Sequence, residues 1–267
     1  MNFLSGFLVQ ILSTAGVIFL FGWIIALLRS GFCNVAYRSG PRILLATGIV
    51  GTPIHELSHA LMCLIFGHKV VEIKLFDPKA EDGSLGYVNH TYEKKNIYHQ
   101  IGNFFIGVAP VLVGGMVVIL LLAILLPNAF GVISHNIQTL GQAQPGLYSI
   151  SDFIKFLWSA STAIFSSESL SDWQGWTFII LALMISTHME MSGSDIKSGL
   201  QGLAFLLAIL LLVDGLIYLI FPNAFSAITN AFVSFGFALS ALLSISALFL
   251  LVLLLVAVIL RWIGSLF

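Results

Sequence analysis

The chain has 267 residues, of which 58% are hydrophobic and 9% charged, and its net charge is −1. A soluble domain covers its surface with about 25% charged residues, so this composition, with a mean hydropathy of +1.03, excludes a water-soluble globule and makes the bilayer the solvent for most of the chain. The near-neutral balance gives no ground for a nucleic-acid partner, and the two cysteines, Cys33 and Cys63, are no disulfide framework and read as small buried apolar residues.

Taken in chain order, the apolar runs predict six membrane spans. The first is Phe7 to Leu28. It lacks a basic start and is too long for the apolar region of a signal peptide, so it is expected to stay in place as a span. The second runs from about Ile43 to Phe66, and the third from about Ile97 to Leu126, ending at Pro127. The fourth, from about Trp173 to Thr187, is short. The fifth runs from Gly199 to Ile220, and the sixth from about Phe232 to Leu260. Between the second and third, Val71, Ile73 and Leu75 alternate with Glu72 and Lys74, the period of a strand. Asp82-Gly83 is a turn signal, and Gly86 to Tyr92 reads as the return strand, so a β-hairpin over 69–92 is expected at the membrane surface. The long connection 127–172 contains a stretch, Ser151 to Phe165, with the spacing of an interfacial helix.

The expected architecture is therefore an all-α multi-pass protein of the cell membrane, one membrane-embedded domain over 1–267 with a small hairpin after its second span. Lys69, Lys74, Lys79, Lys94, Lys95, Lys197 and Arg261 fall on one side of such a layout, and Arg29, Arg38, Arg42 and Lys155 on the other. The larger set predicts both termini and the hairpin on the cytoplasmic side.

His55-Glu56-Leu57-Ser58-His59 lies inside the second span. Residues four apart share a helix face, so His55 and His59 can grip one ion, and Glu56 beside them can act as general base on a water. Zinc suits the pair because it takes imidazole ligands and keeps a position open for water. An intramembrane carboxylate costs about 3 kcal/mol and needs a partner. The small residues of the third span, from Gly102-Asn103 through Gly107-Val108-Ala109-Pro110 to Gly114-Gly115, predict close packing against neighbours, with Asn103 a weaker candidate for an oxyanion donor.

Two histidines leave the tetrahedron incomplete. Candidates for the third ligand lie at the join of the fourth and fifth spans. Asp195 would stand in the first turn of the fifth helix, with Ser192 or Ser194 as its cap. Asp214, inside the fifth span, is a rival, as is His188, which could alternatively support Asp195 from behind. Glu190 would make a different class of zinc site. His68, His90, His99 and His135 read as surface histidines.

His55 to Ala60, then Gly67-His68-Lys69-Val70, with Ser194-Asp195 downstream, resembles the compact bacterial members of the site-2 protease family. The resemblance covers roughly 43–202 as an arrangement. It implies an intramembrane zinc metalloprotease with a catalytic core over 43–220, zinc on His55, His59 and Asp195, Glu56 as base, and a plasma-membrane location. It further implies a membrane protein or peptide as substrate and room for a regulatory membrane partner. The family's Asn…Pro…Leu-Asp-Gly signature is absent as a unit, although Asp214-Gly215 echoes its end. A metal-binding scaffold or transporter is the alternative from another class.

Overall fold

The structure, a computed structural model, describes residues 2–37, 39–80, 83–142 and 150–264. It is almost entirely helical. Helix α1 (Phe3–Ile11) passes through a π-helical turn (Leu12–Gly16) into α2 (Val17–Ala36), and α3 (Ser39–Ile65) follows directly. Strands β1 (Lys69–Lys74) and β2 (Tyr87–Thr91) come next, then α4 (Ile97–Leu125), α5 (Pro127–Gln142), α6 (Ile150–Ile164), α7 (Ser167–Ser171), α8 (Trp173–Ser186), α9 (Gly193–Ile220) and α10 (Pro222–Gly264).

Among the described residues, four helical stretches are long and apolar enough to cross a membrane: 3–36, 97–125, 193–220 and 222–263. Two of the six expected spans, α3 and α8, fall outside this set for two physical reasons. Helix α3 is long enough at 27 residues, but His, Glu, Thr, Ser and Gly dilute its apolar content. Helix α8 is apolar but has only 14 residues, short of the roughly 20 that a span needs. Among its described residues, the connection 127–172 is more helical than expected. A helix does form over the stretch read as one, α6, and α5 precedes it, opening on Pro127, a residue whose missing N–H costs nothing in a first helical turn.

The core is apolar and lies between α2, α4, α8 and α10, with Ile25, Val118, Phe178, Ile185 and Phe249 fully buried. Small residues set the closest helix crossings. A Cβ on Gly107 of α4 would strike the backbone of Asp195 and Gly199 on α9, and one on Gly51 of α3 would strike Met184 and His188 at the end of α8. The third-span glycines thus do what their size predicts, which is to let backbones approach.

The hairpin forms as the alternation predicts, antiparallel from Lys69↔Thr91 to Lys74↔Tyr87, with a bulge between Val70 and Glu72. Of its expected turn, Asp82 lies outside the described residues, and Gly83 has φ 75°, a left-handed conformation suited to glycine. Asp77 beyond β1 accepts from the Lys79 N–H and pairs with Lys74 Nζ at 3.2 Å, which holds its carboxyl below the usual range. The loop that joins the two strands reaches further than alternation alone indicates. The connecting loop folds back along α3 until Phe76 and Leu85 approach Gly48, and Gly86 sits against Thr52 and Glu56. The distance from Ile65 to Gly48 is more than four helical turns. Sequence periodicity gives a strand its faces but not the surface it lies on.

Candidate metal centre

His55 and His59 project from one face of α3, and each ring is fixed from behind by a backbone carbonyl. His55 Nδ1–H donates to the carbonyl oxygen of His188 at 2.7 Å, and His59 Nδ1–H donates to that of Ile106 at 2.8 Å. Both are carbonyls that the helices leave open. Pro110 stands four residues after Ile106 within α4 and has no N–H to return to it. His188 lies beyond the last turn of α8, where carbonyls lose their helical partners.

These hydrogen bonds assign the tautomer. With both Nδ1 hydrogens committed, each Nε2 is a bare lone pair, and the two Nε2 atoms face each other at 3.1 Å. Two acceptors at that separation repel unless a cation lies between them. Asp195 closes the third side, its Oδ1 3.4 Å from His59 Nε2 and its Oδ2 3.9 Å from His55 Nε2. Two imidazoles and a carboxylate are a donor set that suits zinc.

Asp195 is aimed by its own helix start. Ser192 Oγ accepts from the Asp195 N–H at 3.2 Å, and the Ser192 N–H donates to Asp195 Oδ2 at 2.8 Å, a reciprocal capping box. Of the two serines the sequence offers, Ser192 is the cap. Ser194 Oγ lies 2.8 Å from its hydroxyl.

Glu56 is buried beside the two rings, where a Cβ on Gly86 would come within 2.9 Å of its Cγ. His55, Glu56, His59 and Asp195 all line one cavity of about 760 Å³, whose opposite wall is the chain from Gly83 to His90. Strand β2 is hydrogen-bonded to β1 on one side only, so the cavity has a strand along its flank.

The structure separates the other candidates from this cluster. The His188 ring turns towards α3, with Nε2 3.1 Å from both Thr47 Oγ1 and Leu44 O, so its contribution is its carbonyl and not its ring. Glu190 lines the cavity but is engaged in an ion pair with Arg29. Asp214 is buried among the helices, in a cluster with Gln10, whose amide Nε2 also donates to Thr229 Oγ1 at 2.9 Å. Asn103 is buried and lies 3.4 Å from Gln100 Oε1, away from the cavity walls.

Four participants escape a reading by residue type. The carbonyls of Ile106 and His188 belong to no side chain, although Pro110 announced the first by its missing N–H. Arg29 counted only as a flanking charge, and Gly86 only as part of a strand. His68 corrects an expectation outright. It is 5% exposed and not a surface histidine. No family model, no curated protein and no solved structure matches the chain.

Proposed function

We propose that the protein is an intramembrane zinc metalloprotease that hydrolyses peptide bonds of membrane-associated substrates. The observation that carries this reading is the pair of bare Nε2 atoms facing at 3.1 Å with Asp195 beside them and Glu56 buried on the same cavity wall. His55, His59 and Asp195 would hold the ion. When bound, zinc supplies Lewis acidity to a water and to the scissile carbonyl.

The chain's own groups do the rest. Glu56 takes the proton of the attacking water and returns it to the leaving amine. The carbonyls of Ile106 and His188 keep both imidazoles in the tautomer that presents Nε2. A helical substrate hides its peptide bonds and must unwind locally. The flank of β2 along the cavity offers main-chain pairing to the unwound segment, which would hold it extended beside Glu56.

In this reading α3 and α8 cross the membrane as well, which gives six crossings. Their polar groups, His55, Glu56, His59 and Thr47 on one and His188 beyond the other, face each other inside a cage of apolar helices. The alternative with Glu190 as ligand is disfavoured by its pairing with Arg29.

The test uses purified protein in liposomes with a panel of single-span peptides containing helix-breaking residues. The wild type is expected to carry zinc and cut at least one of them. Glu56→Gln is expected to keep the metal and lose about 10²-fold or more in rate. Cleavage by the glutamine variant at the wild-type rate, or protein that binds no zinc, would overturn the proposal.

A further inference from the structure

A second group of ligand-type side chains lies one turn along the same helix. His55, His59 and Cys63 follow each other at intervals of four on α3, so Cys63 continues the stripe of the two histidines one turn beyond the cavity lining. Helix α3 then ends on Gly67, φ 72°, with the His68 N–H donating to the Cys63 carbonyl at 2.8 Å. That turn brings the His68 ring back under the helix end. Strand β2 supplies His90, opposite Val70 next to the bulge. The Cys63 thiol and the two rings come within 4.8 Å of one another, with Cys63 and His68 both buried.

The hydrogen bonds around His68 repeat the pattern seen at His55 and His59. Its Nε2–H donates to the carbonyl oxygen of His99 at 2.9 Å, which leaves Nδ1 bare, and Nδ1 faces His90 Nδ1 at 3.1 Å. A ring fixed by a carbonyl on one nitrogen and open on the other is how ligating histidines are held. Tyr92 stacks on the His68 ring at 4.7 Å and fixes its plane.

We propose that Cys63, His68 and His90 form a second metal site, separate from the one above, that takes a thiophilic divalent ion such as zinc. A tetrahedral zinc holds nitrogen at about 2.0–2.1 Å and sulfur at about 2.3 Å, so its ligand atoms stand roughly 3.3–3.8 Å apart. The present spacing reaches that with a movement of about an ångström. Binding releases the thiol proton to solvent. Three protein ligands leave a fourth position for water. The ion would tie β2 to the end of α3 and so fix the strand that flanks the first cavity.

Cobalt distinguishes the two sites, because only this one contains sulfur. The full-length His55→Ala/His59→Ala protein, loaded with Co²⁺, is expected to retain one equivalent per chain and to show a thiolate-to-cobalt charge-transfer band in the near ultraviolet. Cys63→Ser in that background is expected to abolish the band, and Cys33→Ala to leave it. His90→Gln, on the strand and outside the helix interior, should also remove it, which guards against a misfolded α3 variant. Failure of the double-alanine protein to bind cobalt, or a band that survives Cys63→Ser, overturns the proposal. In the first case the facing rings share only a hydrogen bond. Neither result depends on whether the first site cleaves peptides.

Discussion

Helix α9 carries two carboxylates, Asp195 partly buried and Asp214 fully so, and the deeper of the two is not the one that meets the histidines. Asp195, in its first turn, meets two imidazole nitrogens and is aimed by Ser192. Asp214, more than five turns further on, is buried in a cluster with Gln10 and Thr229, and its Oδ2 and Gln10 Oε1 both lack a hydrogen-bond partner among the described residues. A carboxylate at the centre of a membrane helix costs about 3 kcal/mol. The difference is what surrounds it. Around Asp195 two imidazole nitrogens of α3 and the Ser192 N–H converge, and at Asp214 two acceptors, its own Oδ2 and Gln10 Oε1, lack a donor among the described residues. Expense marks both residues as unusual, and only convergence marks one as a candidate ligand.

The largest test of that contrast is the pair of asparagine variants. Asp195→Asn is expected to lower zinc affinity by about 10²-fold, since it replaces a charged ligand, whereas Asp214→Asn should leave it unchanged; competition with a chromophoric chelator reads both. Equal losses in the two would erase the distinction. A finer probe is Pro110→Ala. The restored N–H would compete with His59 for the Ile106 carbonyl, and zinc affinity should fall by about tenfold, the lower end for a group that orients a ligand. An unchanged affinity would mean that the ring needs no such support.

The smallest effect belongs to the other cluster and has the opposite sign. Asp214→Asn turns one of two unpartnered acceptors into an N–H donor for the other, and thermal unfolding in detergent should show a gain of about 1 kcal/mol. A loss of stability would indicate that Asp214 is held by a group not yet identified.

How far the sequence could be read follows from the range over which each signal acts. Alternation of Val71 and Ile73 with charged neighbours marked β1, and the spacing of Phe153, Phe156 and Leu157 marked α6, because both patterns are local. The HExxH face of α3 is equally local. That Asp195 and not Asp214 meets the two rings is a matter of helix crossing, set by Gly107 against Gly199, which spacing along α9 does not encode. The hairpin's place along α3, and with it the burial of His68 next to His90, depends on where a loop folds back. Two of the six expected spans fall outside the long apolar helices, α3 because polar residues dilute its hydropathy and α8 because it is shorter than the bilayer is thick.

The two carbonyls behind His55 and His59 have a consequence for how this centre tolerates change. Backbone oxygens are supplied whatever residue stands at 106 or 188, so drift at those positions leaves the imidazoles preorganised. The rings are posed by folding itself, before any ion arrives. Loading should therefore be a filling of prepared coordinates, with little rearrangement of the surrounding helices.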